Sequence, residues 1–161
     1  VKHLKILEPL KGLERPAIYI AGDQLEDENW RQVVVDALFN LEVKGTVIDP
    51  SIPKGEIVSI RERVDWSQEA LWLSDVLAFY FDYGHFLEQS NTMFELGCQM
   101  GRYCVGGGPH KLLVGVDGNY VMKDNLFHQV KAHNRGLEGS WKINVSTSLP
   151  QYIERIKAAV S

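Results

Sequence analysis

The sequence predicts a doubly wound α/β sandwich with about five parallel strands. Short runs rich in β-branched and aromatic residues alternate with stretches of helical periodicity. The run Val76 to Phe81 is apolar on both alternating faces, as a strand covered by helices on both sides must be. Antiparallel in-out alternation is absent.

Ala17 to Ala21 (AIYIA), ending at Gly22, is the first predicted core strand and follows a polar leader containing Pro9 and Pro16. From Asn29 to Leu41, Trp30, Val33, Val34, Ala37, Leu38 and Leu41 fall at the spacing of one helical face, with Asp27 available as a cap. Thr46 to Ile48 gives a short strand stopped by Asp49-Pro50, and Ser51 to Glu56 reads as loop. A second helix is predicted from about Ser59 to Leu73, feeding the strand Val76 to Phe81. Then come a helix over Thr92 to Tyr103, a Gly106-Gly107-Gly108 connector and a strand Lys111 to Val116. The three glycines follow a helix and precede a strand, which is a helix stop; a phosphate loop has the opposite order. Asp124 to His133 is predicted helical, Ile143 to Val145 an edge strand, and Leu149 to Val160 an amphipathic closing helix after Ser148.

Composition narrows the function classes. The chain has 161 residues, 45% hydrophobic and 24% charged, which fits one globular domain, residues 1–161. A formal net charge of -4 gives no broad attraction for polymeric nucleic acid or anionic membrane. Neither a secretory signal nor a membrane-length apolar run is present, so a cytoplasmic location is expected. Cys98 and Cys104 lie in one predicted helix and read as reduced core thiols. His110, His128 and His133 have no metal-site spacing, so no metal is predicted.

In doubly wound sheets, ligands bind beyond the carboxyl ends of the strands where the strand order reverses. Those ends are Gly22 to Gln24, Asp82 to Ser90 and Asp117 to Tyr120. Neither G-x-G-x-x-G after the first strand nor G-x-x-x-x-G-K-[ST] occurs, so a ligand smaller than a dinucleotide is indicated. Two acids stand out near the central strand. Thr92-Met93-Phe94-Glu95 fits the capping box S/T-x-x-E, which would make Glu95 a helix-start residue. Its position at a strand-to-helix junction equally suits an ionised carboxylate facing a ligand, able to attack an anomeric carbon. Asp75 reads either as a turn residue or as the second proton-handling group that glycosyl transfer requires. If the strand begins directly after it, Asp75 is at the wrong end.

Taken in order, Ala17 to Gly22, Trp30-Arg31, Arg61-Glu62, Trp66, Glu69-Ala70-Leu71, Ser74 to Phe81, Glu95-Leu96-Gly97 and Asp117 to Asn125 resemble the nucleoside 2-deoxyribosyltransferase superfamily, especially its 2-deoxyribosyltransferase-like branch. The resemblance implies a flavodoxin-like, Rossmann-like fold. It also implies a cofactor-free enzyme cleaving the N-glycosidic bond of a 2′-deoxynucleoside or its monophosphate. Glu95 matches the family nucleophile that attacks C1′, and Tyr19 matches a tyrosine that orients its carboxylate. Asp75 matches an Asp associated with the base and its protonation. Gln89 replaces an Asp that holds the sugar hydroxyl in certain transferases, and Ser90 matches a loop serine of hydrolytic relatives. Transfer to a second base and transfer to water therefore both stay open, as does a binding module that has lost turnover. Gly22, Asp23 and Gln24 lead out of the first strand, with an acidic residue where phosphate binding favours small or basic ones. Asn91 lies in the same loop-to-helix junction as Ser90, and Asn125 matches an Asn that reaches a neighbouring subunit's site, which implies a homodimer or higher homo-oligomer.

Tyr83 and Phe86 could stack on a planar base, and His85 beside them could act as acid or base near neutral pH. Trp30, Trp66 and Trp72 sit at helical spacings expected of core or interface fillers.

Overall fold

The computed structural model describes residues 1–22, 29–83, 90–104, 111–137, 139 and 142–161. Six strands form one sheet: β1 (Lys2–Lys5), β2 (Ala17–Ala21), β3 (Thr46–Asp49), β4 (Val76–Phe81), β5 (Lys111–Val116) and β6 (Val145–Ser146). Five helices join them: α1 (Trp30–Asn40), α2 (Ile60–Leu73), α3 (Ser90–Cys104), α4 (Lys123–Asn134) and α5 (Leu149–Val160). The order across the sheet is β1-β3-β2-β4-β5-β6, and every neighbouring pair is parallel. This is an α/β architecture compatible with a flavodoxin-like doubly wound fold.

Both faces of the sheet are covered, which is why the middle strands could be recognised from continuous apolar runs. Ala17, Tyr19 and Ala21 of β2, with Leu77, Phe79 and Phe81 of β4, pack against Trp66, Ala70 and Leu71 of α2, Leu96 and Tyr103 of α3, and Leu126 and Val130 of α4. Ile18 and Ile20, with Val76, Ala78 and Tyr80, pack on the opposite side against Trp30, Val34, Val35 and Leu38 of α1 and Tyr152 and Ile156 of α5. The chain leaves β2 through α1 to reach β3 on one side, and β4 lies on β2's other side. The strand order therefore reverses between β2 and β4.

Several boundaries differ from the sequence expectation. The sheet has six strands because β1, within the leader, pairs in register with β3 from Lys2 opposite Thr46 to Lys5 opposite Asp49. α3 begins at Ser90, so Thr92 is its third residue and Glu95 its sixth, and its first turn carries no acid. The capping box expected at Thr92–Glu95 is thus not a helix start. Thr92 is buried within the helix instead. The S-x-x-E arrangement does occur at α2, where the Ser59 side chain accepts from the Glu62 N–H at 3.2 Å and its hydroxyl meets the Glu62 carboxylate. α1 is capped by Asn29, whose Oδ1 accepts from Gln32 N–H at 3.3 Å; Asp27 lies outside the described residues. Val33 and Leu41 are exposed, and the buried face of α1 instead includes Arg31 and Val35. Cys98 and Cys104 are free but exposed, and so are not core thiols. The edge strand is Val145–Ser146 where Ile143 to Val145 was expected.

Two charge clusters pin opposite ends of the sheet. At the amino end, Asp75 Oδ2 accepts from Ala17 N–H at 2.7 Å and pairs with Arg15 at 2.9 Å, while the Asp75 N–H donates to Ala17 O at 2.8 Å. At the carboxyl end of β3, buried Asp49 meets Arg31 at 3.3 Å, Lys5 at 3.3 Å and His3 at 3.4 Å, and accepts from Ser51 N–H at 2.9 Å. Burial alone would raise the Asp49 pKa. The His3 hydrogen bond, the Arg31 guanidinium and Ser51 outweigh that and hold it well below the usual carboxylate range.

Candidate active site

The reversal of strand order brings the carboxyl ends of β2 and β4 side by side, and three features converge there. Gly22 ends β2 at φ 153, and a Cβ on it would strike the Tyr80 carbonyl oxygen and stand 2.7 Å from the Trp30 ring. Only glycine lets the chain leave the sheet at this point. At the end of β4, Asp82 is buried and its Oδ1 accepts from the Tyr83 N–H at 2.8 Å. Above the same edge runs the amino-terminal half of α3, which carries Glu95.

Tyr19 ties the site together. Its side chain projects from β2 into the layer of α2, α3 and α4, where it is 1% exposed. Burial pushes its pKa above the ordinary phenol value, and the negative charge of Glu95 pushes it further; a hydrogen bond with Ser67 and the charges of Arg31 and Arg63 work the other way. The net shift is upward, so the phenol keeps its proton throughout the neutral range. Glu95 itself is half-buried. It shares a face of α3 with Arg102, seven residues on, whose guanidinium lies 3.6 Å from the Trp72 ring of α2. Glu95 lies near enough to Tyr19 for its charge to act on the phenol, which Ser67 of α2 also meets by a side-chain hydrogen bond.

A carboxylate beside a phenol that retains its proton can serve, when ionised, as a nucleophile or a base. The buried Asp82 lies at the same edge of the sheet as a second carboxyl group. Sequence reading placed Asp82 at a ligand-side strand end without giving it a role, and passed over Ser67. Each left a signal: Asp82 is the first polar residue after six apolar ones, and Ser67 shares the buried side of α2 with Trp66 and Ala70.

Not every predicted site residue meets here. Asp75 lies at the amino end of β4, and six strand residues separate it from Asp82, roughly 20 Å. The structure does not bring it to Glu95; it locks the start of β2 instead. Tyr83 is at the correct edge and exposed, as is Asn91 in the first turn of α3. Ser90 opens α3. Asn125, exposed in the first turn of α4, belongs to the same helical layer. Asp23, Gln24, Gln89, His85, Phe86 and His110 lie outside the described residues. Of the tryptophans, Trp30 and Trp66 are buried fillers, whereas Trp72 is exposed. Among the described residues no group of three or more His, Cys, Asp or Glu is arranged to hold a metal ion, and no helix is long and apolar enough to cross a membrane.

The fold is that of an α/β protein compatible with a doubly wound, flavodoxin-like architecture, with Glu95, Tyr19 and Asp82 placed near its switch point. No family model matches the chain, and no curated protein is significantly similar to it.

Proposed function

We propose that the protein cleaves the N-glycosidic bond of a 2′-deoxynucleoside, or a related nucleoside or nucleotide, through a covalent glycosyl ester on Glu95. The observation that carries this reading is the nearness of Glu95 to buried Tyr19 by the sheet's switch point, where the Glu95 charge acts on the phenol. The carboxylate attacks C1′, the C1′–N bond breaks, and the base leaves with its electron pair and takes up a proton. Water or a second base then attacks C1′ and releases Glu95. Asp82 takes the proton-handling role, being the buried carboxyl group at the same edge. Tyr19 and Ser67 position the nucleophile, and Tyr83, Asn91 and the loops on either side hold the substrate. No cofactor enters this chemistry. The chain acts as a homo-oligomer on a small molecule, in the cytoplasm.

The test is base release from a panel of deoxynucleosides, with and without a second base, followed by chromatography. Glu95→Gln should lower the rate at least ~1000-fold, the scale of losing a transition-state interaction of about 4 kcal/mol, without unfolding the protein. A 2-fluoro-deoxyribosyl nucleoside should add the mass of its sugar to Glu95. Undiminished turnover in Glu95→Gln would refute the mechanism. Calorimetric binding with no product from any acceptor would favour a binding module on the same fold.

A further inference from the structure

The two exposed cysteines have different surroundings. Cys98 has no hydrogen-bond or ion-pair partner among the described residues. Cys104, the last residue of α3, meets His133 in the last turn of α4: its Sγ lies 3.6 Å from Nδ1 and 3.7 Å from Nε2. The glycosyl chemistry makes no use of this nucleophile and base.

The imidazole is half-buried, and burial lowers its pKa below the ordinary histidine value. At neutral pH the ring is therefore mostly uncharged, with one bare nitrogen that can accept a proton. Because the two distances are nearly equal, the sulfur is in reach of the bare nitrogen whichever tautomer is present. Equal distances also place the sulfur off the line of both nitrogens, and a turn of the ring about its Cβ–Cγ bond aligns one of them with the S–H. Such contacts commonly tighten only as the reaction begins. The helix ends sort the charges. The carboxyl end of α3 opposes a standing thiolate at Cys104, whereas the carboxyl end of α4 favours a protonated His133. Attack by this sulfur thus depends on a base that takes its proton as the new bond forms.

The approach to the pair is positively charged. Arg102 lies in the last turn of α3, Lys131 in the last turn of α4, and Arg135 caps α4; neither turn contains an acid. A thiol that is exposed, beside a base and among cations has the surroundings of a reactive cysteine.

We propose that Cys104, with His133 as its base, exchanges with a small disulfide that carries carboxylates. The Cys104 sulfur attacks one sulfur of the reagent and its proton passes to His133. The reagent's S–S bond breaks as a mixed disulfide forms on Cys104, and the departing thiolate takes the proton back from His133. Cys104 is oxidised and the released half of the reagent is reduced, so no other oxidant is needed.

Oxidised glutathione, an anionic disulfide, is the probe. Wild-type protein near pH 7 in low salt is sampled over time, quenched with acid and digested, and mass spectrometry follows the mixed disulfide on each cysteine. Cys104 should react at least ~10-fold faster than Cys98, less than the ~100-fold of a fully positioned base because the pair is open to water. Both thiols belong to one folded chain, so this comparison needs no variant. His133→Gln should bring Cys104 to within about 2-fold of Cys98 with an unchanged circular dichroism spectrum, since the base is gone. Cystamine, a cationic disulfide, should give a smaller ratio of Cys104 to Cys98, because the surrounding cations repel it. Equal rates in the wild type, or an advantage for Cys104 that survives His133→Gln, would overturn the pairing. An unchanged ratio with cystamine would overturn the choice of an anionic reagent. Glu95→Gln protein should react as the wild type does, so a failure of the glycosyl reading leaves this result standing.

Discussion

Asp75 and Asp82 flank one strand at opposite edges of the sheet. Asp75 accepts a backbone N–H and pairs with Arg15 at the amino end of the sheet. Replacing it with alanine should cost about 1–3 kcal/mol in urea unfolding, the scale of a hydrogen bond to a charged acceptor, and leave the chemical step intact in whatever protein remains folded. Asp82→Asn should instead lower base release at least ~100-fold, as loss of a general acid does, with the unfolding midpoint little changed. Turnover unaffected by Asp82→Asn would remove it from the mechanism. The sequence held the materials for this distinction, since a residue placed before an apolar parallel strand is at the amino edge and the residue after it at the carboxyl edge. Resemblance to a family element drew attention to the first, and strand direction identifies the second. Ser67 was harder to see, because a serine inside a helix gives no sign of its partner until the neighbouring strand is in place.

At the scale of elements, β2, β4 and β5 were legible because each is buried on both faces and bounded by polar or glycine residues. β1 was not: of Lys2 to Lys5 only Leu4 is buried, and an edge strand of four residues has no apolar run to display. The start of α3 was misplaced because Thr92 and Glu95 satisfy a capping pattern that the helix, already begun at Ser90, does not use. Close packing also makes a prediction within β5. A Cβ on Gly115 would stand 2.6 Å from the Tyr152 ring and 2.7 Å from the Tyr80 ring, whose centroids are 5.1 Å apart. Gly115→Ala should cost about 1–3 kcal/mol, read as a lower urea midpoint, because neither ring has room to retreat. An unchanged midpoint would show that α5 shifts freely on the sheet.

The molecule as a whole is held at one edge by the Asp49 cluster, and its stability should follow that cluster's charge. The folded-state pKa of Asp49 lies below the ordinary aspartate value of 3.8, so the unfolded chain binds this proton first as pH falls. Stability from the site is therefore present above about pH 4 and is lost progressively below it. Asp49→Asn should cost about 3–5 kcal/mol at pH 7 by removing the buried carboxylate that faces Arg31, Lys5 and His3, and should flatten the acid limb of the stability curve. A mutant with the wild-type slope below pH 4 would show that other carboxyl groups govern acid unfolding.

The buried phenol of Tyr19 gives the molecule an optical property as well. Tyr19, Tyr103 and Tyr152 all hold their protons more tightly than an ordinary tyrosine, Tyr103 and Tyr152 through burial and Tyr19 through burial reinforced by Glu95. In an alkaline titration of the intact protein these rings stay dark while ordinary phenols turn to the absorbing phenolate. Esterifying Glu95 with a sugar removes one of the two influences that keep Tyr19 dark. Its near-ultraviolet absorbance thus doubles as a native dye for the state of the carboxylate beside it.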